Sequence, residues 1–216
     1  GTRELVAKYF DTIPPGYDIP PPPVPVFHQD GAVVRNLTGI MVSSPGFHMG
    51  FRCYPLQTGD AYSLKILEYI LLKGETSRLR NRLLRRDLTA HDLSGGLENR
   101  SGVLGLKIFC LNNNADMVER SEKAILSEID RLGRNPVSPE EMAKAKKLFK
   151  MDYLRSQSTN LGRALFLVDA ALSGKPMSFL GEELDKYMKV HPLSLPGLIN
   201  RHFTPRNRVI LELGQK

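Results

Sequence analysis

The five histidines are the most obvious candidates for metal or acid–base chemistry in this sequence, but their spacing does not suit a metal site. They are His28, His48, His91, His191 and His202. No two of them stand three or four residues apart, the separation that places two ligands on one face of a helix. The sequence contains neither H-E-x-x-H nor H-x-x-E-H. We therefore expect no metal and no other cofactor in this chain.

The two cysteines, Cys53 and Cys110, lie far apart in apolar stretches, and no C-x-x-C pair exists. This arrangement predicts neither a zinc ribbon nor a redox motif. Two buried thiols are the favoured interpretation, with a disulfide left open as the alternative. The sequence also lacks the G-x-S-x-G and G-x-x-x-x-G-K-[ST] motifs. No nucleophile or phosphate loop is therefore predicted, and we expect no peptidase or other activity from this chain alone.

Arginine is concentrated in the stretch from Ser77 to Leu93, in a chain of net charge +7. Leu79, Leu83, Leu84 and Leu88 stand at helical spacing there, while five arginines occupy the remaining positions: Arg78, Arg80, Arg82, Arg85 and Arg86. An arm that binds nucleic acid usually gathers its charge on one face and adds aromatic side chains. This pattern instead predicts an amphipathic helix that buries Leu79, Leu83 and Leu88 against the sheet and leaves most guanidinium groups in water, although phosphate binding remains the alternative.

The elements around this arginine helix predict an α+β fold. Residues 47–54 and 103–111 alternate with strand period, and "NLTGIMVS" (36–43) is expected to pair with the first of them as a hairpin. Asp60 is placed to cap a helix that ends before Gly74, and helices are also predicted near 118–132, 138–153 and 161–172. The order indicates a mostly antiparallel sheet with helices packed on one face.

A strong helix start stands at Ser138. Ser138 is predicted to cap the helix, Pro139 to take its first position, and Glu141 to complete a capping box. The helix that follows 161 shows one apolar face: Leu161, Leu165, Val168 and Leu172.

Proline divides the chain into three parts. Seven of the fifteen prolines lie between Pro14 and Pro25, which predicts an extended, semi-rigid spacer; a ligand for a proline-binding domain is the alternative. We expect residues 1–13 to be the tail of a preceding domain, 14–27 a linker, and 28–216 a single α+β domain. No apolar run reaches 18 residues, so no transmembrane helix is predicted.

The order of these motifs resembles a known family of zinc peptidases. The run "YPLQTGDAYSLKILEYILLKGETSRLRNRLLRRDLTAHDLSGG" is similar to the second half of a pitrilysin-family unit, the family of insulin-degrading enzyme and the mitochondrial processing peptidase. Gly74 and Ser77-Arg78-Leu79 match its Gly-rich turn and helix start. "NPVSPEEMAKAKKLFKMDYLRSQSTNLGRALFLVDAALSG" resembles its later long helix, through Glu141, Ala145 and Lys146.

The resemblance implies a non-catalytic second half. In the family, paired α/β units close around an unfolded peptide, and the first half carries the H-x-x-E-H zinc site that this sequence lacks. Zinc is therefore expected in a catalytic half, within the same protein or in a homologous subunit, and the implied substrate is a peptide. The implied role is the wall of a peptide chamber. The first alternative is a structural or interaction subunit of the same fold, and the more remote one is a basic nucleic-acid-binding domain.

The resemblance also points to two substrate-contact positions, and neither matches here. Many second halves carry an arginine in this helix and a tyrosine seven residues on. Counted from Ser77-Arg78-Leu79, these positions fall on Leu84 and His91. Arg85 is one position away and would substitute only if the helix were rotated. Arg85 and His91 are accordingly the predicted substrate contacts, and His91 is expected to begin the strand that follows.

Overall fold

A five-stranded sheet forms the framework of the protein in a computed structural model that describes residues 1–17, 20, 29–37, 44–57, 59–100, 103–172 and 181–214. The strands lie in the order β1-β5-β2-β4-β3. Their bounds are β1 Val33–Leu37, β2 Gly46–Cys53, β3 Ala90–Arg100, β4 Val103–Asn112 and β5 Arg208–Leu213. β1 pairs with β5 in parallel, and the three remaining pairings are antiparallel. The predicted mostly antiparallel α+β fold is confirmed.

Alternation along β2 decides which face of the sheet carries the core. Phe47, Met49, Phe51 and Cys53 are almost completely buried, whereas His48 between them is exposed. Leu106, Ile108 and Cys110 of β4 are buried on the same side. Because side chains alternate in direction along a strand, this face packs against helices, and no helix of the described residues packs against the opposite face.

The helices follow the predicted order. They are α1 Thr2–Phe10, α2 Asp60–Leu71, α3 Arg78–Arg80 continued by a π-helix Asn81–Arg86, α4 Asp116–Arg134, α5 Pro139–Ser156, α6 Asn160–Leu172, α7 Glu183–Met188 and α8 Ser194–His202. A short 3₁₀ turn, Pro205–Asn207, precedes β5. The buried leucines and isoleucines of α2, α4 and α8 join the β2 and β4 side chains in one core. We keep the name arginine helix for Arg78–Arg86.

The hairpin predicted for "NLTGIMVS" and β2 is wrong for the residues that the structure describes. β1 contains only Asn36 and Leu37 of that stretch, and β5 lies between β1 and β2. The remaining residues, 38–43, lie outside the described part of the chain. Two strands close in sequence need not pair, since a distant strand with a matching apolar face competes for the same edge.

Asp60 differs from its predicted role and instead holds α8 in place. The N-cap of α2 is Gly59, and Asp60 is the first helical residue. Its buried carboxylate accepts hydrogen bonds from Gln57 N (2.8 Å) and from Arg201 Nη2 (2.8 Å), and His202 Nε2 lies 3.2 Å away. A buried carboxylate requires such partners, so the side chain fixes the end of α8 against the start of α2.

Two helices present apolar faces that the described chain does not cover. The predicted stripe on α6 is helical, but Leu161, Leu165 and Leu172 are each at least 60% exposed. α1 buries none of its residues. Amphipathic spacing predicts a helix and its apolar side, but not what packs there. Within the described residues, no helix is both long and apolar enough to cross a membrane.

Candidate functional site

The arginine helix starts where the sequence predicted and is anchored by two of its leucines. Gly74, with φ +80°, lies in the turn after α2, and an added Cβ there would lie 2.8 Å from Leu148 Cδ2. Leu79 and Leu83 are fully buried, whereas Leu88 is 62% exposed, with φ +49°. The expected burial of Leu79 and Leu83 is therefore correct, and that of Leu88 is wrong because the chain has left the helix before it.

The prediction that most guanidinium groups lie in water is wrong. Arg78, Arg80 and Arg82 are only 17%, 29% and 25% exposed. Each of the five arginines in the helix contacts a carboxylate. Partly buried charges are tolerated when they are paired. The carboxylates that pair with these arginines come from parts of the sequence far from the helix as well as near it.

Arg78 joins the arginine helix to α5. Its Nε and Nη2 donate to Glu141 Oε1 and Oε2 at 2.7 and 2.6 Å, a bidentate pair. The hydrogen bonds to Glu141 raise the pKa of the Arg78 guanidinium above its ordinary value. Ser138 caps α5 as predicted, accepting from Glu141 N at 3.2 Å. The Glu141 carboxylate, however, is held by Arg78, so the predicted capping box is replaced by a tertiary ion pair.

Glu128 of α4 is a buried carboxylate that pairs with several of the arginines. Its side chain is 3% exposed. It accepts from Arg82 Nη1 at 3.0 Å and from Arg131 Nη2 at 2.8 Å, and Arg78 Nη1 lies 3.9 Å away. Burying this carboxylate without cationic partners would cost free energy of folding. With its partners in place, Glu128 orients three guanidinium groups at once.

A cavity of about 400 Å³ opens between the arginine helix and α4. It is lined by Arg78, Asn81, Arg82, Arg85, Arg86, Glu128 and Arg131. We call it the arginine cavity. Five guanidinium groups and one carboxylate face it, and no aromatic side chain among the described residues does. Sequence reasoning identified the arginines of the helix but missed Glu128 and Arg131, because their positions on α4 show only a common helical pattern.

The two predicted substrate-contact residues lie on different features. Arg85 lines the arginine cavity, is 52% exposed, and donates from Nη2 to Glu75 Oε2 at 3.0 Å. His91 is exposed on β3, an edge strand, where the pairing with β4 shifts register between Ala90 and Asp92. β3 begins at Ala90, one residue before the predicted start. His91 is not among the residues that line the arginine cavity.

The second half of the arginine helix, Asn81–Arg86, is a π-helix. Its wider turns, with the Asp87 N–H bonded to Arg82 O five residues back, take one more residue per turn than an α-helix. A residue after such a turn is displaced by about one position around the axis. Arg85 therefore points closer to the direction that Leu84 would have in a regular α-helix.

A second cavity, of about 530 Å³, lies on the face of the sheet opposite the helices. We call it the sheet groove. Its walls include Val33 of β1, Val209 of β5, and charged side chains from β2, β3 and β4: Arg52, Glu98 and Lys107. Gly50 and Gly105 form part of its floor. The sequence signal for this groove is the pair of glycines on the less buried side of β2 and β4, which the sequence analysis did not use.

Neither metal nor thiol chemistry is supported by the described residues. Among them, no group of three or more His, Cys, Asp and Glu side chains lies close enough to hold a metal ion. His28 lies outside the described ranges. Cys53 and Cys110 are buried free thiols, and burial raises the pKa of each to about 12. A thiol that stays protonated is a poor nucleophile and a poor metal ligand.

The described residues therefore form an α+β domain in which no group of side chains suited to a metal ion was found. The profile of the peptidase M16 inactive domain matches residues 2–149. The chain belongs to this family, the non-catalytic halves of pitrilysin-type peptidases. Among curated proteins, no relative matches the sequence.

Solved structures share the fold at low sequence identity. A protease from Helicobacter pylori superposes with a TM-score of 0.88 and 18% identity, over 98% of this chain and 51% of that one. The peptidase M16 inactive domain from Pseudomonas fluorescens gives 0.81 and 15%, over 100% and 51%. A chain of complex III2 from Candida albicans gives 0.70 and 14%, over 85% and 46%. The present chain thus spans about half the length of these proteins.

Proposed function

We propose that this chain is the non-catalytic wall of a peptide-substrate chamber and works beside a zinc-bearing half that performs the hydrolysis. The observation that carries the proposal is the sheet groove. Among the described residues, helices cover one face of the sheet, while the other face carries a cavity that is mostly apolar along Val33, Gly50 and Val209. An extended peptide presents apolar side chains and backbone to such a surface.

The charged rim of the sheet groove suits a peptide with both apolar and polar residues. Arg52, Glu98 and Lys107 lie at its edge, and Lys107 forms an ion pair with Glu98. Zinc has no suitable ligand group among the described residues, so the proposal assigns it to the companion half. The role of the present chain would be to bind and orient the peptide and to exclude water around it.

Arg85 and His91 are the proposed contacts for the peptide backbone outside the groove. The π-helical turn supports Arg85, because it moves that side chain toward the direction expected for Leu84. His91 lies where the register of the edge strand β3 shifts between Ala90 and Asp92, and a register shift of this kind re-aims a side chain.

A substitution that fills the sheet groove tests the proposal. An added Cβ at Gly50 would meet no atom within 4 Å, so Gly50→Leu should leave the fold intact while occupying the cavity. Hydrolysis of an unfolded peptide by this chain together with its zinc-bearing half should fall at least about tenfold in kcat/KM, with KM rising. The matched control is Gly181→Leu, which also has no neighbours within 4 Å but is not part of the groove lining.

Two outcomes would contradict the proposal. One is equal activity of Gly50→Leu, Gly181→Leu and the unchanged protein. The other is full activity of the zinc-bearing half without this chain. In either case the sheet groove would not serve the substrate.

A second candidate function is a structural subunit of the same fold that assembles with a partner but does not handle peptides. The observation that favours it is the pairing of Arg85 with Glu75, which occupies the guanidinium proposed to hold substrate. The similarity to a complex III2 chain also supports it. Gly50→Leu would then leave complex formation, measured by sedimentation, and any activity of the complex unchanged.

A further inference from the structure

We propose that the arginine cavity is a binding site for an oligophosphate group carried by a small molecule. This inference is independent of the proposed peptide chamber, because it concerns the space between the arginine helix and α4 and not the sheet groove. It begins from the concentration of five guanidinium groups around one open cavity of about 400 Å³. That volume falls in the ordinary range of small-molecule sites, which is about 300–1,000 Å³.

The arginines and carboxylates joined by ion pairs around the cavity have a net positive charge, which favours binding of an anion. Six arginines take part in these ion pairs: Arg78, Arg80, Arg82, Arg85, Arg86 and Arg131. Four carboxylates oppose them: Glu75, Asp87, Glu128 and Glu141. Six positive and four negative groups leave an excess of two positive charges. A group with two or more negative charges would balance them, which a single carboxylate would not.

The guanidinium groups keep hydrogen-bond donors that face outward. A guanidinium has five N–H donors. Among the described residues, Arg86 bonds to Asp87 through Nε alone, and Arg131 bonds to Glu128 through Nη2 alone. Both side chains are more than half exposed, at 62% and 57%. Planar forks with free donors match phosphate oxygens bidentately.

Glu128 contributes by fixing the geometry of the cavity. Its buried carboxylate holds Arg82 and Arg131 from below, while Glu141 holds Arg78. Long arginine side chains otherwise lose rotamer entropy when a ligand binds. Groups that are already held in place bind a ligand at a lower entropic cost, the advantage of preorganisation.

No aromatic side chain among the described residues lines the cavity, which indicates that phosphate, and not a base, is recognised. Proteins that bind single-stranded nucleic acid combine positive charge with aromatic stacking platforms. The residues lining this cavity are arginines, one asparagine and one glutamate. The structure therefore favours a compact phosphate group over a nucleic-acid strand.

Calorimetric titration of the 216-residue chain with inorganic tripolyphosphate tests the inference at about 150 mM salt, where exposed charges are strongly screened. We expect one site per chain. The variant R86Q/R131Q should bind at least about tenfold more weakly. The matched control, K123Q/R134Q, removes two positive charges from exposed positions on α4 outside the cavity lining, and should change the Kd less than about twofold.

A single substitution separates fork recognition from charge alone. R131K keeps the charge but loses the planar fork, so we expect binding between that of the unchanged chain and that of the double variant. Circular dichroism and thermal melting of each variant establish that it is folded, and the exposure of both arginines makes unfolding an unexpected result.

Three results would overturn the inference. The first is no binding of tripolyphosphate to the unchanged chain. The second is an equal loss in R86Q/R131Q and K123Q/R134Q, which would indicate diffuse attraction to a basic surface. The third is a short single-stranded oligonucleotide that binds more than about tenfold more tightly than tripolyphosphate and depends on Arg86 and Arg131, which would make the cavity a nucleic-acid site.

Discussion

Glu128 is the single residue on which the arrangement of the arginines most depends. Glu128→Gln keeps the side-chain volume but removes the charge that faces Arg78, Arg82 and Arg131. Breaking a fully buried ion pair costs about 3–5 kcal/mol, and the partial exposure of these arginines reduces that value. We expect the free energy of unfolding to fall by about 2 kcal/mol, as measured by urea denaturation.

The control for Glu128 lies two residues away on the same helix. Asp130 is 55% exposed and pairs with the exposed Arg134, so Asp130→Asn should change the stability by less than about 0.5 kcal/mol. Equal effects of the two substitutions would show that Glu128 does not organise the cluster.

Glu122 is expected to make the stability of the chain depend on pH near neutrality. Burial, and then the neighbouring Glu212 carboxylate, raise the pKa of Glu122 from 4.5 to about 7, against the opposing effect of Arg208. The folded state thus holds this proton more tightly than the unfolded state does. Glu122 consequently lowers the stability progressively as the pH rises from about 4.5 to about 7, and the loss is complete above that range.

Glu122→Gln should remove this loss. We expect the variant to be more stable than the unchanged chain by about 1 kcal/mol at about pH 8, and no more stable than it at about pH 4. This value allows for screening by solvent at a side chain that is only partly buried. Thermal melts over this pH range provide the measurement. Glu119→Gln, at an exposed position on the same helix, is the control. If the stability gained by Glu119→Gln over the unchanged chain varied with pH as much as the stability gained by Glu122→Gln, the assignment to Glu122 would be wrong.

At the scale of secondary-structure elements, the arginine helix is held by two leucines and released before a third. Leu83→Ala removes a fully buried side chain and should lower the free energy of unfolding by roughly 2–5 kcal/mol. Leu88 is exposed and has φ +49°, a conformation that L-residues adopt at a cost of about 1–2 kcal/mol. Leu88→Gly should therefore leave the stability unchanged or raise it by about 1 kcal/mol.

Denaturant unfolding of these two variants distinguishes the observed helix from a regular α-helix through Leu88. If the helix buried Leu88, Leu88→Gly would lower the stability by several kcal/mol, as Leu83→Ala does. That result would contradict both the exposure of Leu88 and the end of the helix at Arg86.

At the scale of the whole molecule, the proposed division is a tail at residues 1–13, a linker at 14–27 and a domain at 28–216. Most of the linker lies outside the described residues, and the described helix α1 buries none of its side chains. A chain that begins at Phe27 should therefore unfold within about 0.5 kcal/mol of the full chain. A loss of several kcal/mol, against a typical total of about 5–15, would show that the prolines are structural.

A slightly shorter chain is the control for this truncation. Gln29 donates from Nε2 to Arg208 O at 2.7 Å, and so joins the start of the domain to β5. A chain that begins at Gly31 loses this bond and should be less stable than the Phe27 chain by about 1 kcal/mol, the usual contribution of one hydrogen bond. Equal stability of the two would place the domain boundary after Gln29.

Local spacing in the sequence was sufficient to predict most elements, whereas the family was identified by the resemblance of the motifs and their order to a known family. The alternation of Phe47, Met49 and Phe51, and the Ser138-Pro139 helix start, depend on neighbours only a few residues apart. The confirmed fold class follows from the order of such elements. The buried positions of Leu79 and Leu83 follow from helical periodicity in the same way.

Only the tertiary structure decided which elements meet and what the arginines contact. β5 lies between β1 and β2, Glu141 binds Arg78 in place of completing its own capping box, and Glu128 reaches the arginine helix from α4. Arg82 and Glu128 lie 46 positions apart in the sequence, and Arg78 and Glu141 lie 63 positions apart. Periodicity gives the direction of each side chain relative to its own element, whereas a partner is chosen by the packing of all elements together, which no local pattern encodes.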